Sequence, residues 1–482
     1  MDLLRTAALL PRTARRPALA LALCTPCLAQ APELPEPPLQ PEVTRAELEA
    51  HVRFLASDRL AGRASGSEGS LLAAHYLARV LERSGVEPAG DAGTYLQRVP
   101  MRRVVYLAQP TLTFWTREGE ERRAEWGVDF EQLSGAPAAE RLRVQVIPRG
   151  EWPPAEPARG AALVLDLPLR ERRAALDALD PRWDLVVLAG SEAPGKPSAS
   201  IPRAHTERGA EAAPRIVVRG DLRERLLRGD ALELRLEAPA RVDAEAFNVV
   251  GRIPGRGSAE RAELAEEAIV FSAHYDHLGE RPPSPEPIEG EDRIYNGADD
   301  DASGCAAVVE LAGALAAGEA PARTLVFLLA TGEEIGLVGT RHYIEHPAVP
   351  LERTVCNLNF EMIGRPDALA GGAGRLWLTG FERSNLGEAF QAAGLAVVPD
   401  ARPEQRFFER SDNIAFAVRG IVAQTFSSYD LHEDYHTPQD EADRLDYDHM
   451  EAAVRAALAA ARLVTHGELR PEWKPGGAPP AR

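Results

Sequence analysis

Residues 268–279 read AIVFSAHYDHLG. Ala268 to Ala273 is a run of apolar and small residues without alternation, as expected of a strand covered on both faces, and His274 and Asp276 arrive where such a strand ends. The same grammar recurs in TLVFLLAT (324–331), TVCNLNFEM (354–362) and GRLWLTGF (374–381). Helical patterns lie between and after them: ASGCAAVVELAGALA (302–316), SNLGEAFQAAG (384–394) and DYDHMEAAVRAALAAARLV (446–464). This alternation predicts a three-layer α/β domain, residues 243–468, around a mixed, mostly parallel twisted sheet. In open sheets of this kind functional residues gather beyond the carboxyl ends of the strands.

Upstream, TRAELEAHVRFLAS (44–57) has the Thr44/Glu47 capping-box pattern and an apolar face of Leu48, Val52 and Leu55. A second helix is expected over 71–83, with Gly85 as its stop. Residues 42–108 are therefore read as the first part of the same domain. From 109 to 242 the pattern changes to short β-type runs, LRVQVIP, AALVLDLP, DLVVLAG, RIVVRG and ALELRLEA, with no chemistry-bearing motif. That predicts an inserted β-rich accessory domain. The tail RPEWKPGGAPPAR (470–482), like the whole of 469–482, reads as disordered from its Pro and Gly content.

The chain has 482 residues and a formal charge of −18, more negative still once residues 1–31 are set aside, because that segment carries four Arg and one Asp. So acidic a surface argues against nucleic acid or an anionic membrane as partner. Residues 1–31 have the form of an export signal: Arg5, Arg12, Arg15 and Arg16, then PALALALCTPCLA, then Ala29-Gln30-Ala31. The apolar run is shorter than the ~20 residues of a membrane span. The expectation is a periplasmic or secreted protein with no stable span after signal removal; a lipid on Cys24 is the minor alternative, weakened by bulky Leu23. Of the remaining cysteines, Cys305 and Cys356 sit in apolar segments and are expected buried and free.

Two motifs offer themselves for metals and mislead. Counted from Asp299, YNGADDDASGCAAVVELAG (295–313) fits a calcium loop, with Asp301, Ser303, Gly304 and Glu310 in register. But the preceding RPPSPEPIEGEDRIYNG is too rich in Pro and Gly for the required first helix, and Glu310 would lie about 12 Å along the second. LHEDYHTP (431–438) contains His432-Glu433-x-x-His436, the zinc-protease pattern that works when one helix presents both histidines. Pro438 and the SSYD before His432 argue against that helix.

Another arrangement accounts for more. His274 and Asp276, Asp299, Glu333 and Glu334, and Glu361 each follow an apolar strand or open a helix, and DYHTPQDE adds His436. In this order and spacing the residues resemble the zinc peptidase family of bacterial leucyl aminopeptidases, glutamate carboxypeptidase and glutaminyl cyclases. LAGRASGSEG (60–69) and DAGTYLQRVP (91–100) are similar to that family's N-terminal segment, and 109–242 falls where many members carry a protease-associated domain.

The resemblance implies two zinc ions per chain bridged by Asp299, one also held by His274 and Glu361, the other by Glu334 and His436. It implies a cis peptide after the bridge, at Asp299–Asp300. Imidazole and carboxylate are ordinary zinc ligands, and a bridging carboxylate offsets the repulsion of cations ~3.5–4 Å apart. Asp276 would take the second ring proton of His274, Glu333 would be the general base and Tyr435 would face the oxyanion. His277, His342, His346 and His432 are left as structural or surface residues.

Glu361 stands where relatives often have Asp, and Ser411-Asp412-Asn413 where S-D-H is frequent. The function so implied is an exported peptidase acting on peptides, foremost an aminopeptidase. A carboxypeptidase or dipeptidase, a glutaminyl cyclase and a non-catalytic binding module remain as alternatives.

Overall fold

The computed structural model describes Pro35 and residues 40–480, apart from 137–139, 150, 153–156, 180–181, 199–201, 203, 209–212, 244 and 282–287. The expected export signal lies outside the described residues. Among them, no helix is long and apolar enough to cross a membrane.

Thr44 begins the helix Arg45–Leu55 as its capping pattern requires: its Oγ1 accepts from the Glu47 amide at 3.3 Å and its hydroxyl donates to the Glu47 carboxylate at 2.6 Å. The second helix runs Glu68–Arg83, starting three residues before its expected first turn because Ser67 caps it, accepting from the Ser70 amide at 3.1 Å. Gly85 follows at φ +76°, a stop suited to a residue without Cβ.

The central sheet is ordered Glu87–Pro88, Phe247–Ile253, Thr324–Ala330, Ala268–His274, Thr354–Phe360, Val422–Ser427, Leu376–Leu378, Val397–Pro399, with Leu96–Arg98 also paired to Phe247–Ile253. Its four middle strands, from Thr324–Ala330 to Val422–Ser427, are mutually parallel; Phe247–Ile253 on one side and Leu376–Leu378 on the other join them antiparallel, and Val397–Pro399 pairs parallel with the latter. Helices Arg45–Leu55, Gly304–Ala316 and Tyr447–Thr465 pack together against one face. On the other face, Tyr343 and Ile344 of Val338–Glu345 and Ala415 to Ala417 join Val250, Val270, Val326 and Leu328 in one apolar core. The fold is the expected three-layer α/β arrangement, and two-sided coverage explains why its strands read as unbroken apolar runs.

All five β-type runs between 109 and 242 are strands. They belong to an eight-stranded sheet ordered Glu121–Ala124, Thr111–Thr116, Ala231–Glu237, Leu142–Ile147, Ala161–Leu165, Leu185–Ala189, Arg215–Val218, Phe130–Ser134. A second sheet of His205–Arg208, Met101–Tyr106 and Ala240–Asp243 adjoins it, since Val104 and Tyr106 share its core. The β-rich region therefore starts nearer Met101 than 109, and it also contains the helices Leu169–Ala178 and Gly220–Arg228.

The expectation of a disordered tail does not hold for the described part. Trp473 pairs with Ser384 and donates its Nε1 hydrogen to the Gly420 carbonyl at 3.0 Å, and the Lys474 amide donates to Arg383 at 2.8 Å. Composition alone missed the anchoring supplied by one Trp and a few main-chain bonds.

Candidate metal centre

The parallel strands end together and deliver the sequence-identified residues to one place. Ala268–His274 ends at His274, and the loop beyond is held by Arg63 from the LAGRASGSEG segment. Arg63 is wholly buried, and its guanidinium donates to the carbonyls of Tyr275 (2.8 Å), Asn296 (2.6 Å), Gly297 (3.0 Å) and Leu55. One side chain thus ties the HYDH loop to the turn that carries the three aspartates. Its cation satisfies carbonyls that would otherwise be orphaned in the interior.

In that turn the three carboxylates diverge. Asp299 accepts from the Gly364 amide at 2.7 Å and lies 3.0 Å from His432 Nε2. Asp301 accepts from the amides of Gly304 (3.0 Å) and Met362 (3.1 Å). Asp300 alone faces the histidines at the strand ends: its Oδ1 is 3.2 Å from His274 Nε2 and its Oδ2 3.0 Å from His436 Nε2. Asp440 accepts from the amides of both Asp299 and Asp300, each at 3.0 Å, and fixes the turn.

The shared carboxylate is accordingly Asp300, not Asp299, and the cis peptide is Asp300–Asp301, not Asp299–Asp300. Spacing along the chain cannot choose among three consecutive aspartates whose directions depend on the turn.

Two groups of donors meet at Asp300: His274, Asp300 and Glu361, and His277, Asp300, Glu334 and His436. An ion with tetrahedral bonds of about 2.0–2.1 Å sets its donors about 3.3 Å apart. In the first group His274 Nε2 is 3.2 Å from Asp300 and 3.6 Å from Glu361. In the second the separations are 2.7 Å (His277–Glu334), 3.0 Å (His436–Asp300), 3.5 Å (His436–Glu334) and 3.9 Å (His277–Asp300). His274 Nε2, both ring nitrogens of His277 and Glu334 Oε1 are buried without a hydrogen-bond partner. Buried polar atoms left so are rare and costly, and cations of N/O preference would satisfy His274 Nε2, His277 Nδ1 and Glu334 Oε1. The residues fit zinc.

The electrostatics agree. Burial opposes ionisation of Asp300, yet His277, His274 and His436 hold it well below the usual carboxylate range. Burial and the Asp300 charge likewise oppose Glu334, but contacts with His277 and His436 bring it down to about 2. Glu333 goes the other way. Desolvation, with Glu361, Asp412 and Glu334 adding and His274 opposing, holds its carboxyl well above the ordinary range.

Support behind the donors is extensive. A buried chain of hydrogen bonds runs along the pair Ala268–His274 and Thr354–Phe360 from Asn357 to Ser272 (2.8 Å), Ser272 to Asn359 (2.7 Å) and Asn359 to Ser411 (2.7 Å), and Ser411 in turn contacts Glu361. The Asp276 carboxylate accepts from Ser65 (2.7 Å) and the Glu333 amide (3.1 Å). His274 Nδ1 lies closer to the Asp276 main-chain carbonyl (3.0 Å) than to its carboxylate (3.8 Å). Asp276 sits beside the ring, with its main-chain carbonyl rather than the expected carboxylate as the nearer acceptor. Tyr435 stacks on His436 with ring centres 3.9 Å apart, and it lines a pocket with Glu361, Met362, Trp377, Phe407 and Tyr429.

Neither misleading motif has a place. His432 is on Asp299 while His436 is on Asp300, so the two histidines do not converge on one ion. Glu310 lies on the helix Gly304–Ala316 with its carboxylate 3.2 Å from buried His51. Asp300 and His277 are the residues that sequence reasoning missed. For His277 the signal was its place three residues after His274, but leaving the strand changes the side-chain direction in a way no period predicts.

Residues 248–461 match the model of Peptidase family M28. Aminopeptidase YwaD of Bacillus subtilis (strain 168) is 25% identical over 251 residues, 51% of each chain, so the match spans about half the length of that curated relative. Among solved structures, an aminopeptidase from Aneurinibacillus sp. strain AM-1 superposes with a TM-score of 0.50 at 18% identity, covering 88% of this chain and 94% of that one. A zinc aminopeptidase from Bacillus subtilis gives 0.48 at 17% identity, covering 90% and 97%.

Proposed function

We propose, from the premise that residues 248–461 form a peptidase family M28 domain, that the protein is a zinc-dependent peptidase that removes residues from the amino ends of peptides. The observation that carries this reading is the pair of histidine–carboxylate groups sharing Asp300 at the strand ends. His274, Asp300 and Glu361 would hold one zinc ion; Asp300, Glu334 and His436 would hold the other. When bound, such a pair acidifies water and polarises a carbonyl.

The chain supplies the rest. Glu333 takes the proton released as water attacks the peptide carbon and passes it to the amine nitrogen as the C–N bond breaks. Asp276 keeps the His274 ring oriented through its main-chain carbonyl and anchors the Glu333 main chain. Tyr435, fixed by its stack on His436, offers its hydroxyl to the developing oxyanion. The completeness of both donor groups speaks against a one-metal cyclase and against a binding module without catalysis. The export reading of residues 1–31 makes the site of action periplasmic or extracellular.

The amino-end preference rests on charge. The cleft is dense in carboxylates that suit an α-ammonium, and Arg365 is already paired with Asp434 at 2.8 Å, with Asp440 at 3.7 Å. Arg410, exposed at the pocket and over the Phe407 ring at 5.2 Å, gives the carboxyl-end alternative its foothold. The test compares kcat/KM for a free-amine dipeptide amide, its N-acetyl derivative, and an N-blocked dipeptide with a free carboxyl end. Fastest cleavage of the first is expected; fastest cleavage of the last would mean the enzyme reads carboxyl ends.

A further inference from the structure

We infer that His277 is a metal-binding residue, which makes the two metal positions unequal: one closed by four protein donors, the other left open with three. The inference rests on the two-metal reading above and extends it to a residue and an order of affinity.

His277 is 2% exposed, and neither of its ring nitrogens has a hydrogen-bond partner. Its Nδ1 nonetheless stands 2.7 Å from Glu334 Oε1, which is itself buried and unpartnered. Two polar atoms this close in the interior need a hydrogen or a cation between them. A cation between them resolves the contact, because both present lone pairs to the same space. His436, its ring centre 5.6 Å from that of His277, and Asp300 complete the set. The backbone also favours a fixed role: the His277 amide donates to the Arg63 carbonyl at 3.3 Å, and Arg63 pins the neighbouring loop.

The consequence is an asymmetry. His277, Asp300, Glu334 and His436 fill a tetrahedral shell, as in zinc sites that hold their ion tightly. His274, Asp300 and Glu361 leave a fourth place vacant, as in sites that accept water or substrate. Glu361 also lines the pocket formed by Met362, Trp377, Phe407 and Tyr429, so the open position lies on the pocket side. The position nearer the pocket is therefore the weaker and more exchangeable one, while the position at His277 stays loaded.

The test is a zinc-binding isotherm on the full chain, stripped of metal and read against a competing chromogenic chelator, with folding checked by circular dichroism. The wild-type protein should bind two zinc ions in two steps at least about tenfold apart. His277→Ala should weaken the tight step by roughly 100-fold or more, beyond what loss of an indirect partner causes, and leave the weak step alone. Glu361→Ala should do the reverse and preserve the tight step. A tight step unchanged in His277→Ala overturns the inference while two bound ions per chain still uphold the dinuclear reading. Wild-type binding of fewer than two ions would remove that reading itself. Should His277→Ala fail to fold, the wild-type isotherm and Glu361→Ala still decide: two wild-type steps of equal affinity, or loss of the tight step in Glu361→Ala, overturn the asymmetry.

Discussion

The two sheet systems of this chain bury different things. Between Met101 and Asp243, among the described residues, the buried side chains are nearly all aliphatic or aromatic, with no buried His, Asp or Glu; Thr113 and Thr116 and the Tyr106 hydroxyl are among the few polar groups enclosed. Around the central sheet the carboxyl ends of the strands and the loops beyond them enclose His274, Asp276, Asn359, Asp412 and the three consecutive aspartates. Leaving a buried polar group unpaired costs about 1–3 kcal/mol, so a cluster of ionisable ones in one spot calls for a function. At the carboxyl ends of the central strands His274 Nε2, the His277 ring nitrogens and Glu334 Oε1 are buried and unpaired side by side, and there the donors converge. Where a fold departs from apolar packing is thus the better guide to its chemistry than its secondary structure.

That contrast can be broken from the catalytic side first. Glu333→Gln should lower kcat by roughly 10²–10⁴ while bound zinc and melting temperature stay as in the wild type. A kcat within threefold of wild type would show that proton transfer does not run through this residue. The next effect is smaller and divides two neighbours in sequence. His436→Ala should weaken zinc binding by more than about 100-fold, beyond what loss of an indirect partner causes, whereas His432→Ala, which touches Asp299 rather than the donor groups, should cost less than about tenfold. Equal losses measured by equilibrium dialysis would restore the single-ion reading of HEDYH. The smallest effect on chemistry belongs to the other sheet: Leu234→Ala, at a fully buried position of Ala231–Glu237, should cost about 2–5 kcal/mol of stability in denaturant unfolding. Its kcat/KM under folding conditions should not move; a tenfold fall would make the accessory sheet part of the catalytic unit.

Much of the frame was legible because it follows from periodicity. Unbroken apolar runs gave the central strands, Thr44 and Glu47 gave the first helix start, and the polar residues after His274, Ala330 and Phe360 marked the strand ends. What escaped depends on geometry that spacing does not encode. In Asp299-Asp300-Asp301 the side chains point three ways out of one turn, so the assignment carried over from the family resemblance fell one residue early. His277 lies just beyond the strand, where alternation no longer assigns a face. The described tail is held by Trp473, one residue in a stretch whose Pro and Gly otherwise read as disorder. The β-rich region begins near Met101 because strand Met101–Tyr106 pairs with Ala240–Asp243, a contact more than a hundred residues away in sequence.

The most direct test of the centre built on Asp300 is the zinc content of two neighbouring variants, Asp300→Asn and Asp299→Asn, purified alongside the wild type and measured by elemental analysis. The geometry predicts that Asp300→Asn loses affinity for both ions together, since one carboxylate faces both groups, while Asp299→Asn retains two ions and loses only stability of the turn. Retention of two ions by Asp300→Asn with loss of both from Asp299→Asn would contradict it.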